Sequence, residues 1–323
     1  MTFPSLTPSP LALQFEKWHG AHNDFLFIRR SDLQKAFGES LDTTLIGHMT
    51  ASLTSRRAGV GADGVVVWDT VTGSASVCAG IWNSDGSRAS TCGNALRCFG
   101  GLLNANGHWS GDHPLEVLTL EGDLGASSTF ATLVSAACCD ARDEFQASVD
   151  MGSVSEVSAR TLEPLENEIR NLFGPERNGA PQAATFVQLA NPHLVLHFSR
   201  GFLAAHSSAE IEKFGLFFQS EEVCRRLQIP VSNIGFIEIE ANGADDSHLG
   251  VVFERGAGLT QCCGSGGCAM LLSFQHLSRK GNSEELKILM PGGTIRVSTG
   301  QNGKLMLSGP AKKVGEFQVS YWP

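Results

Sequence analysis

Short apolar runs bounded by glycine, asparagine and aspartate recur along the chain. The clearest are Phe25-Leu26-Phe27-Ile28, Gly64-Val65-Val66-Val67-Trp68, Leu194-Val195-Leu196-His197-Phe198, Ile234-Gly235-Phe236-Ile237-Glu238-Ile239 and residues 249–253. β-Branched and aromatic residues dominate these runs, and such residues suit the pleated surface of a strand. Helical periodicity is sparser. It predicts helices over 31–49, 162–173 and 208–227, and two more over 93–106 and 264–280. In the first of that last pair Leu96, Phe99, Leu102 and Leu103 fall on one face, and Gly107 follows as a stop signal. In the second, Leu271, Phe274 and Leu277 recur before a stop near Gly281. The mixture predicts an α+β chain with many strands.

The last two helices open alike. Cys92-Gly93-Asn94 precedes one and Cys263-Gly264-Ser265-Gly266 the other, each after a strand-like run and a polar turn. Their separation is 263 − 92 = 171 residues, about half of the 323-residue chain. The chain therefore reads as internally duplicated, in keeping with the roughly two domains its length suggests.

A cysteine at a helix N-terminus sits at the positive end of the dipole, which lowers its pKa from about 8.5 toward neutrality. The N–H groups that follow lack intrahelical partners, and glycine lets an anion approach them closely. Two such loops facing one another would hold a carboxylate between two helix ends, with a thiol on either side of the adjacent carbon. That arrangement suits inversion of a stereocentre beside a carboxylate. One thiolate removes the α-proton, the opposite thiol returns a proton to the other face, and the helix ends stabilise the charge that develops. His193, in Asn191-Pro192-His193, and Glu254, before Arg255-Gly256-Ala257-Gly258, are candidate helpers.

Composition narrows the class. Charged residues are 18% and hydrophobic residues 42%, which excludes a disordered chain. The net charge, 24 − 33 = −9, argues against a nucleic-acid partner. No apolar run approaches the roughly 18 residues of a membrane span. Residues 1–10 lack the basic start of a signal peptide. The expectation is a cytoplasmic protein with no membrane partner. Nine cysteines occur, none in a C-x-x-C pair, so no zinc ribbon or thioredoxin motif is indicated. No metal site and no cofactor is expected, and no pyridoxal phosphate site is evident.

These residues resemble the diaminopimelate epimerase family nearly end to end. Lys17-Trp18-His19-Gly20-Ala21-His22-Asn23-Asp24-Phe25 is similar to K-M-H-G-L-G-N-D-F, and Gly59-Val60-Gly61-Ala62-Asp63-Gly64 to G-I-G-A-D-G. Asn83-Ser84-Asp85-Gly86-Ser87, Cys92-Gly93-Asn94 and Arg97-Cys98 follow the pattern N-x-D-G-S…C-G-N-x-x-R-C. Val149-Asp150-Met151-Gly152, Asn191-Pro192-His193, Asn233-Ile234-Gly235-Phe236, Glu254-Arg255-Gly256-Ala257-Gly258, Cys263-Gly264-Ser265-Gly266 and Pro291-Gly292-Gly293 come in family order.

The resemblance implies an α+β fold of two similar mixed α/β barrel-like domains, each with a central helix, and an active site in the cleft between them. The domains would be 1–153, joined by the final strand 309–323, and 154–308. It implies a cofactor-independent isomerase that interconverts LL- and meso-diaminopimelate in lysine and peptidoglycan precursor synthesis, and a homodimer. Cys92 and Cys263 would be the acid/base thiols, with His193 and Glu254 as their respective helpers. Backbone N–H groups of Gly93, Asn94, Gly264 and Ser265 would hold the reacting carboxylate, beside Asn23. Asn83, Asn191, Asn233 and Arg255 would grip the distal end of the substrate, where a planar two-pronged donor suits a carboxylate.

Four positions depart from the family pattern: Trp18 for methionine, His22 and Ala190 for glycines, and Leu259 for an acidic residue. Cys262 adds a thiol beside Cys263, expected to point to the opposite face if the segment is extended. His22 and Leu259 leave room for a racemase or epimerase of another amino acid, such as histidine. A non-catalytic binding protein or a metal–thiolate protein on this fold is the reading from a different class.

Overall fold

In each unit strands are covered by helix on both faces, and the reason is visible in the apolar runs. The structure, a computed structural model, describes residues 10–38, 41–71, 73–121, 125–139, 144–173, 179–239, 246–277, 284–300 and 303–322. In chain order the elements are β1 (Leu11–Gly20), β2 (Asn23–Arg29), α1 (Arg30–Phe37), α2 (Thr43–Thr54), β3 (Gly64–Thr70), β4 (Val77–Asn83), β5 (Arg88–Ala89), α3 (Gly93–Ala105), β6 (Leu115–Glu121), β7 (Gly125–Cys138) and β8 (Glu144–Asp150). There follow β9 (Glu156–Arg160), α4 (Glu166–Phe173), β10 (Ala183–Gln188), β11 (Pro192–Phe198), α5 (Phe202–Ala205), α6 (Ser208–Gln219), α7 (Glu221–Arg226), β12 (Asn233–Glu238), β13 (His248–Glu254), β14 (Gly258–Thr260), α8 (Gly264–Leu277), β15 (Glu285–Met290), β16 (Gly293–Thr299) and β17 (Leu305–Tyr321). The chain forms two compact units, Met1–Ala147 with Ala311–Pro323 and Ser148–Pro310. Strand β17 contributes to both.

In the first unit β1 and β2 form a hairpin, β2 pairs parallel with β3, and β3 pairs antiparallel with β4. Strand β4 pairs antiparallel with the short β5 and parallel with β6, which pairs antiparallel with β7. The second unit repeats every step. Strands β10 and β11 form a hairpin, β11 pairs parallel with β12, and β12 antiparallel with β13. Strand β13 pairs antiparallel with the short β14 and parallel with β15, which pairs antiparallel with β16. Helices α1 and α2 fill the first crossover, as α5 to α7 do in the copy, and α3 fills the second, as α8 does. The duplication legible in two Cys-Gly units therefore extends through the topology.

Strand β2 shows how the layers form. Leu26 and Ile28 enter a core with Leu33, Ile46, Met49 and Leu53 of α1 and α2. Phe27, on the opposite face, stacks on Phe99 of α3 at 6.2 Å. A strand covered on both faces reads as a continuous apolar run rather than an alternating one. The same holds for β11. Leu194, Leu196 and Phe198 join Phe214 and Phe218 of α6, while His197 on the other face bonds Ser273 of α8 at 2.6 Å.

Several sequence expectations are refined. The helix expected over 31–49 is two helices. Gly38, at φ +60°, ends α1, and the Asp42 side chain accepts from Leu45 N at 2.7 Å to cap α2. The helix over 208–227 divides at Ser220, which caps α7. That over 162–173 begins as a 3₁₀ turn, Glu163–Leu165, containing Pro164. Helix α3 is buried from Gly93 to Leu103, not along one stripe. Leu277, assigned to the apolar face of α8, is exposed, and the expected end over 278–281 lies outside the described residues. Among the described residues no helix is long and apolar enough to cross a membrane.

The β1–β2 hairpin turns on two residues, Ala21 and His22, at φ 52° and 65°. A two-residue turn with φ positive at both positions strongly favours glycine. His22 is exposed, its ring edge-on to His19 at 5.4 Å. His22→Gly removes a Cβ from a left-handed position. It is expected to stabilise the fold by about 1 kcal/mol, measured by urea unfolding.

Candidate functional site

Helix α3 starts where the extended Cys92 (φ −149°, ψ 110°) gives way to Gly93, and the Cys92 carbonyl accepts from Leu96 N at 3.0 Å. Cys92 is thus the N-cap residue, half-buried, and its side chain does not cap the helix. Beside it the Asn94 amide donates to Asn23 Oδ1 at 3.4 Å. Asn23 Nδ2 in turn donates to Asp63 Oδ2 at 2.8 Å, an oxygen that also accepts from the Asp24 backbone N–H at 3.0 Å. Asp63 therefore fixes which way the Asn23 amide faces. Arg56 reaches Asp63 at 2.7 Å and Asp24 at 2.6 Å, and Lys17 reaches Asp24 at 2.9 Å. Burial pushes the Asp24 carboxyl up, but its hydrogen bonds to Arg56 and Lys17 prevail and hold it at about 2. Burial and the Asp24 charge push the Asp63 carboxyl up instead. Asn83, exposed, pairs in register with Gly64 next to Asp63, and its amide donates to Ser87 Oγ at 3.0 Å.

The second unit repeats the helix start with different supports. Cys263 precedes α8, and its carbonyl accepts from Gly267 N at 3.0 Å. Here the thiol does cap the helix: Gly266 N donates to Cys263 Sγ at 3.4 Å, and Ser265 Oγ lies 3.5 Å from the sulfur. The Cys263 thiol also hydrogen-bonds the Glu254 carboxyl, which accepts from Thr260 Oγ1 at 2.7 Å. Cys262 is buried like Cys263. Asn233 Oδ1 accepts from Arg255 N at 2.8 Å, fixing the turn that presents the exposed Arg255 side chain. His193 sits in register with Asn233, two residues after the half-buried Asn191. It is fully buried, and neither ring nitrogen has a hydrogen-bond partner.

Thr260, Asp63 and Met290, whose sulfur accepts from Cys263 N at 3.4 Å, were not candidates from the sequence. Asp63 lay in a quoted motif, but nothing local tied it to Asn23, 40 residues away. Leu259, in place of an acid, packs partly buried against the core around Phe214 and Phe253. A groove of about 380 Å³ on the first unit, lined by residues such as Ile81, Arg88 and Thr119, contains none of the candidate residues. Among the described residues no group of three or more His, Cys, Asp or Glu is placed to hold a metal ion.

The sequence profile described as "Diaminopimelate epimerase" matches residues 15–155 and 185–314, most of both units. The chain belongs to the diaminopimelate epimerase family. It is 32% identical over 311 residues to the diaminopimelate epimerase of Acidiphilium cryptum, covering 95% of this chain and 96% of that one. It is 30% identical over 305 residues to that of Xanthomonas campestris, covering 93% of each. Among solved structures it is similar to the Bacillus anthracis phenazine biosynthesis protein of the PhzF family, with TM-score 0.65 at 12% identity over 95% of this chain and 99% of that one. It is also similar to a hydroxyproline epimerase from Agrobacterium vitis, with TM-score 0.58 at 13% identity over 97% and 92%. These two likenesses show the fold.

For a family of isomerases, the charge states of the second unit matter. Burial, then the Glu254 charge, push the Cys263 thiol well above the ordinary range, so it rests protonated. Burial also raises the Glu254 carboxyl, against the bonds from Thr260 and Cys263. Burial alone lowers His193 to about 4, so it is neutral at pH 7. His197 falls to about 4 as well, through burial and then His248.

The folded pKa of His193 lies below its unfolded value of 6.5. The unfolded chain therefore binds more protons between pH 6.5 and 4, and stability is lost as pH falls through that window. A shift of this size corresponds to roughly 3 kcal/mol at pH 4. In His193→Phe the pH slope of the urea-unfolding free energy across that window should fall, while His197 keeps its share.

Proposed function

We propose that this chain interconverts LL- and meso-diaminopimelate without a cofactor, by two-base catalysis through Cys92 and Cys263, and so serves lysine and peptidoglycan precursor synthesis. One observation carries the reading: a cysteine immediately precedes a glycine-opened, buried helix in each of two duplicated units, in a chain of this family. The α-carboxylate accepts hydrogen bonds from the N–H groups of Gly93, Asn94, Gly264 and Ser265, where the helix dipoles favour negative charge.

In one direction the Cys92 thiolate takes the α-proton, and the electron pair left on carbon delocalises into the carboxylate. The Cys263 thiol delivers its proton to the opposite face of that carbon. The products are the inverted centre, a Cys92 thiol and a Cys263 thiolate, and the reverse direction exchanges the roles. The resting protonation of Cys263 and its bond to Glu254 support its entry as the acid. In this reading Glu254, bonded to Cys263, holds that proton, and His193 serves Cys92. Asn23, oriented by Asp63, lies beside the reacting centre. Asn83, Asn191, Asn233 and Arg255 bind the distal amino-acid group, and the backbone bond from Arg255 to Asn233 presents the guanidinium for a bidentate carboxylate contact.

The test is α-proton exchange in D₂O with LL-diaminopimelate beside a panel of other amino acids, histidine included. Exchange confined to diaminopimelate supports the reading; exchange confined to another amino acid replaces the substrate. Cys92→Ala and Cys263→Ala should each lower turnover by about 10³-fold or more. Near-normal turnover in either variant would remove the two-base mechanism. Arg255→Lys should raise KM about tenfold with a smaller change in kcat, since an ammonium lacks the fork.

A further inference from the structure

Arg97, in the second turn of α3, is fully buried, and none of its three guanidinium nitrogens has a hydrogen-bond partner. An unpaired cation inside a protein is costly and normally meets a carboxylate or backbone carbonyls. Among the described residues the charged groups on the strands packed against α3 are engaged elsewhere; on β8, which meets α3 through Phe145 and Ala147, Glu144 acts on His19 and Asp150 pairs with Lys304. On β2, Asp24 is already held by Lys17 of β1 and by Arg56. On β1, Glu16 accepts from Asn106, the C-cap of α3, and pairs with Lys313. His19 of β1 is shifted toward neutrality, first by burial and then by His22 and Lys312. Arg29 of β2 lies over the Trp68 ring. Cys138, the titratable residue of β7, is exposed. Cys98, next to Arg97, has its thiol pushed far up by burial and stays neutral.

Side chains on a helix lean toward its N-terminus, over the residues three and four positions earlier. For Arg97 these are Asn94 and Gly93, the first turn behind Cys92. Gly93 has no side chain to block the arm. The Cys98 thiol senses the charges of Arg97, Cys92 and Asp24 together, so these groups share one electrostatic neighbourhood.

We propose that Arg97 is a positioning residue for Cys92: its buried, unpartnered guanidinium is a fixed positive charge behind the α3 N-terminus that favours the Cys92 thiolate through its field rather than by contact. The proposal rests on the reading of Cys92 as the thiolate base. The second unit provides an internal contrast. The position five residues after Cys263 is Cys268, a buried thiol, where the first unit has Arg97. Cys263, without such a cation at the equivalent place, is the protonated partner. One helix copy then holds its thiol ionised and the other holds it neutral, the state from which Cys92 acts as the base and Cys263 as the acid.

The test uses the whole chain without substrate. Iodoacetamide alkylation of Cys92 is followed against pH by peptide mass spectrometry, with Cys138 as the exposed reference. In Arg97→Met the Cys92 midpoint should rise by about one unit or more, a roughly tenfold slower reaction at pH 7, with Cys138 unchanged. Arg97→Lys should restore most of the wild-type profile. An unchanged Cys92 midpoint in folded Arg97→Met overturns the proposal. Since an apolar chain of similar length relieves an uncompensated charge, Arg97→Met should also melt no lower than wild type. A variant that fails to fold would show that the guanidinium holds the structure together, and that too overturns it. No diaminopimelate enters the readout, so the outcome is independent of the D₂O exchange experiment.

Discussion

A helix buried on every side must satisfy its first-turn N–H groups without bulk water, and this constraint organises both halves of the molecule. Helices α3 and α8 are sheathed by strands and offer little surface to solvent. Their N-termini are therefore places where an acceptor must be supplied from within the protein or by a ligand. Cysteine at the N-cap is a poor hydrogen-bond acceptor compared with serine or aspartate. Glycine after it keeps the approach to the N–H groups open.

Duplication gives two similar helix ends with different surroundings. Around Cys263 the surroundings favour the proton: burial, a neighbouring carboxyl and a second thiol at Cys262 all oppose ionisation. Around Cys92 the sulfur is only half-buried, and a fixed cation follows one and a half turns later. A similar backbone path can thus set two cysteines in different local fields, because the side chains off the shared scaffold differ. The network from Lys17 and Arg56 through Asp24 and Asp63 to Asn23 belongs to the first unit. Its result is a single amide held in one orientation beside the α3 N-terminus.

Three of the four departures from the family pattern have physical accounts. His22 occupies a left-handed turn position and is exposed, so its cost falls on the hairpin backbone. Leu259 replaces an acid but packs on an apolar core. Trp18 is fully buried, with Nε1 donating to Glu16 at 3.2 Å, so the larger ring keeps a polar partner. Ala190 is exposed before Asn191, and nothing in the structure explains it.

Features that depend on neighbours in the chain were legible from the residues alone. The strand runs, the two Cys-Gly helix starts and the order of motifs follow from local propensity and spacing, which the amino-acid order carries directly. His193 and Glu254 were legible as candidates from the residues, though the state of neither was. Helix boundaries at Gly38, Asp42 and Ser220 were missed because periodicity continues across a cap. Tertiary structure alone decided that β2 and β11 are covered on both faces, that Asp63 aims Asn23, that Glu254 bonds Cys263, and that His193 and Arg97 lie buried without hydrogen-bond partners. Burial and electrostatic field are sums over groups far apart in sequence, and only folding brings those groups within range.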